Sequence, residues 1–149
     1  MSADLPIDWK SAYCEALYEQ REEARQVERR EVRFRDGSQP ERNRCHCNAE
    51  RFVRENPGYS VVRGWLRTSI WDFQVMFDAH SLVADCDGQL IEITPMLDGM
   101  SLPFLRHVGG EEQFTEFKEG RPSQLILRWL DFGPAPPLPH IGEENTAFL

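Results

Sequence analysis

"FQVMFDAHSLVADCDGQLIEITP", residues 73–95, is the stretch on which the fold turns. Two runs rich in branched and aromatic residues flank the tetrapeptide DCDG, the pattern of a β-hairpin. Side chains alternate faces along a strand, so the parity of the connection decides which residues stand together. If Cys86, Asp87 and Gly88 form a three-residue loop with Gly88 in the left-handed region, Asp85 pairs with Gln89. His80 then lies opposite Thr94 and Leu82 opposite Glu92, with all four on one side of the ribbon. A two-residue loop sends Glu92 to the other face. The first register gathers a histidine and a carboxylate; the second separates them.

Working outward, "YSVVRGWLRT" (59–68) alternates and reads as a strand, and "SQLILRWLDF" (123–132) fits a last strand or a short helix, with the strand preferred. "CHCNAERFVRE" carries a helical pattern from about Cys45 to Glu55 and meets a strong stop at Asn56-Pro57-Gly58. Trp9, Tyr13, Leu17, Ala24 and Val27 recur at helical spacing through a mixed-sign charged run, which predicts one long helix over about 9–33. "DGSQP" (36–40) ends it. Residues 96–117 read as loop with a short helical piece, and 134–149 as a Pro-rich tail. Helices first and antiparallel strands after give an α+β class, with N-terminal helices packed on an antiparallel β-sheet. The expected division is one domain over 1–133, its core at 39–132, and the tail.

The 149 residues suffice for one core without disulfides or metal. Hydrophobic content of 40% and charged content of 28% are those of a globular chain. A net charge of -8 argues against nucleic acid and anionic membrane surfaces as partners. No apolar run reaches the length of a membrane span, and Met1 to Lys10 lack the pattern of a signal peptide. The expected compartment is therefore the cytoplasm, with Cys14, Cys45, Cys47 and Cys86 as thiols.

Cys45-His46-Cys47 is the most chemically loaded triplet, and it admits three readings. A structural zinc site wants four convergent ligands, whereas three consecutive side chains diverge; His80 and Cys86 would have to complete it. A redox dithiol is usually C-x-x-C beside a βαβ pattern, and neither is present. The third reading makes Cys45 a nucleophile. A thiol in the first turn of a helix feels the positive end of the dipole, which lowers its pKa. It needs a base and an orienting group for that base. His80 and Glu92 on the hairpin are the candidates. His46 is expected to point away from Cys45 as a surface or cap residue, and Cys47 to be a small buried hydrophobe. Asn48 is placed to bond back to the preceding loop, and Trp65, Trp71 and Trp129 are expected core residues.

The series C-H-C-N-A (45–49), V-V-R-G-W (61–65), A-H-S-L-V (79–83) and G-Q-L-I-E-I-T-P (88–95) resembles the papain-like, transglutaminase-type cysteine superfamily. Within it, the resemblance is to small bacterial and phage proteins with C-x-x-N-A, a G-Y or G-W strand, H-[AS]-[WV] and D-x-T. It covers residues 39–95, about half the chain. The resemblance implies a papain-like or transglutaminase-like core with Cys45 as nucleophile and His80 as base. Ala49 matches the small residue one turn after the nucleophile, and Gly64-Trp65 the strand beside the site. Glu92 stands where the family usually has Asp, so a longer side chain must be accommodated. Gln39, six residues before Cys45, stands where papain-type enzymes place an oxyanion-hole glutamine.

The implied activity is thiol-dependent acyl transfer on a protein or peptide: protease or amidase, deamidase, or transglutaminase, with no cofactor and no metal. Two other readings stay open. One is a non-catalytic protein-binding domain on the same scaffold; the other is a metal-binding domain built from Cys45, Cys47, His80 and Cys86.

Overall fold

The structure is a computed structural model, and it describes residues 9–71, 74–96, 101–119 and 124–128. In chain order the elements are α1 (Trp9–Glu19), a 3-10 turn (Arg21–Glu23), β1 (Glu28–Arg29), α2 (Cys45–Glu55), β2 (Ser60–Trp71), β3 (Gln74–Ala84), β4 (Leu90–Glu92), β5 (Phe104–Arg106), α3 (Glu111–Glu119) and β6 (Gln124–Arg128). The class is α+β. The strands form a six-stranded sheet in the order β1-β4-β3-β2-β5, with β6 also pairing with β3.

The β3–β4 connection has the three-residue loop. Asp85 N–H donates to the Gln89 carbonyl at 3.0 Å, and Gly88 adopts φ 86° and donates to the Asp85 carbonyl at 2.9 Å. Val83 pairs with Ile91 and Ala84 with Leu90, so the register carries Leu82 opposite Glu92 and His80 toward Thr94. One edge of β3 is shared: β4 pairs at 83–84 and β6 at 74–78. His80 lies between those two pairings.

Strand alternation divides the core by face. Trp65, Val75 and Phe77 point to the face covered by α1 and α3, against Leu17, Tyr18, Phe114 and Phe117. Val83 and Ile91 point to the same face further along and pack against Ala49 and Phe52 of α2. Val62, Leu66, Leu82 and Ala84 form the other face, with Phe104 laid over them. Burial of each such large side chain stabilises the fold by about 1.5–3 kcal/mol. Trp65, with 0% exposure, sits at the centre of the first face. Its indole N–H donates to Tyr13 Oη at 2.8 Å, and Tyr13 O–H in turn donates to His107 Nδ1 at 2.6 Å. Burial, opposed by the Trp65 bond, pushes the Tyr13 phenol up to about 12.

Three expectations need correction. The long helix over 9–33 ends at Glu19. Beyond it the four residues Gln20–Glu23 are all polar and offer no apolar face, and the backbone instead pairs with sheet edges. Arg25 and Phe104 exchange hydrogen bonds at 2.9 and 2.7 Å, and β1 lies parallel to β4, pairing Arg29 with Glu92. Covering an edge strand outweighs the modest helix propensity of a charged run. The sheet is consequently mixed rather than purely antiparallel. Finally, the segment 96–117 holds a strand, β5, antiparallel to β2, besides the helix α3. The expected last strand is present as β6, and the tail 134–149 and Trp129 lie outside the described residues. Among the described residues, no helix is long and apolar enough to cross a membrane.

Candidate functional site

Cys45 is the first residue of α2. The loop before it turns sharply at Asn43, whose φ of 65° is in the left-handed region that asparagine tolerates. Arg44 at the N-cap makes no side-chain cap, which leaves the first-turn amides available to a developing anion. The buried Asn48 holds this geometry. Its amide nitrogen donates to the Glu41 carbonyl at 2.8 Å and to Thr94 Oγ1 at 3.0 Å, while its oxygen accepts from the Glu41 amide at 3.3 Å. The asparagine thus ties the loop, the helix start and the segment that follows β4 together.

His80 is buried on β3 with 5% exposure. Its Nε2 lies 2.5 Å from Glu92 Oε1, and the second carboxylate oxygen accepts the Thr94 amide at 3.2 Å. Both oxygens of Glu92 are therefore engaged, and the longer side chain is accommodated at a position where the register alone sets its neighbour opposite Leu82. The Phe104 ring stands edge-on to His80 at 6.4 Å. Room for that ring exists because residue 64 is glycine: a Cβ there would come within 2.3 Å of Phe104 and 2.5 Å of the Leu105 carbonyl oxygen.

The half-buried Cys45 lines one cavity with His46 and His80, the two imidazoles whose interactions bear on its thiol. Burial opposes its ionisation, but the bonds from His46 and His80 outweigh that cost and bring the thiol down to about 6. Burial likewise opposes the His80 cation, but its bonds to Cys45 and Glu92 hold the imidazole up at about 9. Between these values the arrangement favours a thiolate–imidazolium pair. With Nε2 given to Glu92, Nδ1 is the ring nitrogen left for the sulfur. Cys45, His46, His80 and Thr94 line an open cavity of about 720 Å³, with Leu66 and Met96 among its apolar walls.

Gln39 is not in this cavity. It is exposed and lines a separate hollow with Arg29, Val32 and Ile93. Cys47 is exposed rather than buried, with Arg44 Nη2 4.0 Å from its sulfur, and Cys86 is exposed at the hairpin tip. Among the described residues, no group of three or more His, Cys, Asp or Glu side chains is placed to hold a metal ion.

His46 departs most from expectation. It is half-buried, turned inward, and its Nδ1 lies 2.6 Å from Ser81 Oγ. Ser81, fully buried, also accepts from Arg63 Nη1 at 2.8 Å. Consecutive residues on a helix diverge by about 100°. That angle lets the two side chains part, His46 reaching Ser81 while Cys45 lines the cavity beside His80, both partners lying on the stretch of β3 that neither β4 nor β6 pairs. The available signal was Arg63 and Ser81 themselves, polar cross-strand partners each flanked by the apolar runs Val61-Val62 and Leu82-Val83. No protein-family model, curated protein or solved structure matches this chain.

Proposed function

We propose that the protein is a thiol-dependent acyl-transfer enzyme with a papain-like or transglutaminase-like core, acting on a protein or peptide through Cys45, His80 and Glu92. The observation that carries this reading is a helix-start thiol sharing one open cavity with a buried histidine, which a buried carboxylate holds from behind. The motif series that resembles the superfamily supports it independently.

In this mechanism the Cys45 thiolate adds to the substrate carbonyl carbon, and the π electrons move to oxygen. The first-turn amides of α2 receive that oxyanion. His80, as imidazolium, gives its proton to the leaving amine as the C–N bond breaks, leaving a thioester. His80 then takes a proton from water or an acceptor amine, which attacks the thioester and restores the thiol. Glu92 holds the imidazole in one orientation and favours its cation.

Alkylation with iodoacetamide near pH 7, read by peptide mass spectrometry, tests the reading. Cys45 is expected to react about tenfold or more faster than exposed Cys47 and Cys86, because a thiolate reacts where a thiol does not. Cys45→Ala removes the fast phase. Equal, slow labelling of every thiol would favour a non-catalytic binding domain instead.

A further inference from the structure

Two histidines, His46 and His80, line one cavity with Cys45, and their outer partners are of opposite charge. Behind His80 stands the Glu92 carboxylate. Behind His46 stands Ser81, and behind Ser81 the Arg63 guanidinium, whose side chain is 11% exposed. Arg63 is itself gripped by Glu50 of α2 at 2.7 Å and Glu111 of α3 at 2.8 Å. A guanidinium has donors only, so Ser81 Oγ accepts from it and has its own proton to give to His46 Nδ1. That assignment leaves the ring proton of His46 on Nε2, the nitrogen available to Cys45. Phe114 meets the ring edge-on at 5.9 Å and fixes its plane. A carboxylate behind an imidazole favours proton transfer; a hydroxyl polarised by a guanidinium favours a fixed donor.

We propose that His46 is a second catalytic residue, donating Nε2–H to the Cys45 sulfur and then to the oxyanion formed when that sulfur adds to a carbonyl. The proposal rests on the acyl-transfer reading above. When the C–S bond forms and the carbonyl π pair moves to oxygen, His46 keeps its proton and shifts its hydrogen bond from sulfur to oxygen. His80 alone transfers a proton. His46 thereby fills the place of a side-chain oxyanion donor, which Gln39, in its separate hollow, does not occupy. The other charged groups lining the cavity are Arg42, Asp78 and Lys118.

The test compares two reagents on the full chain. Iodoacetamide reports the thiolate by a displacement that forms no oxyanion; p-nitrophenyl acetate acylates the same sulfur through one. In His46→Phe, the alkylation midpoint is expected to rise by about one pKa unit. The ratio of acylation to alkylation rate is expected to fall about a hundredfold, the scale for one lost oxyanion donor. His46→Gln, which restores an N–H donor near the same place, is expected to recover most of the ratio. If wild-type Cys45 alkylates no faster than Cys47, the acyl-transfer reading itself fails. If wild-type Cys45 is fast and a folded His46→Phe keeps both midpoint and ratio, only the role of His46 is overturned. Should His46→Phe not fold, Ser81→Ala decides by the same ratio, since it frees the His46 tautomer; an unchanged ratio there overturns the proposal.

Discussion

Glu92→Gln is the most direct probe of how the buried carboxylate governs the thiol. In the native arrangement both carboxylate oxygens accept, one from His80 at 2.5 Å and the other from the Thr94 amide at 3.2 Å. Glutamine has one carbonyl oxygen, so its NH2 must face one of two donors. Losing a hydrogen bond to a charged group costs about 1.5–3 kcal/mol. At 1.36 kcal/mol per pKa unit that is about 1–2 units. His80, held up at about 9 with Glu92 as one of its supports, is expected to fall correspondingly. Cys45, held down at about 6 in part by the His80 cation, is expected to rise. At pH 7 the thiolate fraction then drops from roughly nine-tenths to between a half and a tenth, slowing iodoacetamide alkylation about two- to tenfold. The assay is the pH–rate profile of Cys45 alkylation. A Glu92→Gln profile superimposable on wild type, with its midpoint still near 6, would refute the reasoning.

Acylation by p-nitrophenyl acetate is expected to rise with pH through about 6, as the depressed thiol ionises, and to fall through about 9, as the raised imidazole loses its proton. A profile climbing monotonically to pH 10 contradicts that pairing. Gly64→Ala drives a Cβ into the Phe104 ring and the Leu105 carbonyl, and its expected cost is about 1–3 kcal/mol, read as a lowered midpoint in urea unfolding. An unshifted midpoint would mean that Phe104 repacks freely. Gln39→Ala is expected to leave the rates of both thiol reagents within about twofold of wild type, since the side chain is exposed outside the cavity. A large loss would place Gln39 in the site.

Much of the local structure was legible. The apolar pattern and the Asn56-Pro57-Gly58 stop mark α2, and the structure ends it at Glu55 as read. The DCDG loop carried enough turn chemistry for the three-residue connection to be named, and with it the faces of His80 and Glu92. Gly64 was visible as a motif, but its reason, the Phe104 ring, comes from β5, a three-residue strand too short to show a period. Asn48 was expected to bond back to its loop and does so through Glu41; its second bond, to Thr94, spans 46 positions.

What failed did so where the deciding partner is remote. Residues 24–33 carry the charge pattern of a helix, and strand edges supplied by Phe104, Ile91 and Glu92 capture the backbone at Arg25 and at 28–30 instead. Sequence neighbours suggested that His46 turns away from Cys45; it turns inward instead because Ser81, on the stretch of β3 that neither β4 nor β6 pairs, offers it a partner. By itself the sequence determined the α+β class, the helix that starts at Cys45 and the presence of the hairpin, because periodicity and turn residues act over a few positions. Of the two registers it allowed, the folded loop has the one that aligns His80 with Glu92. Only the tertiary structure decided that His46 turns inward to Ser81 and lines the cavity of Cys45, and that Gln39 does not, because those outcomes depend on where separate elements meet in space.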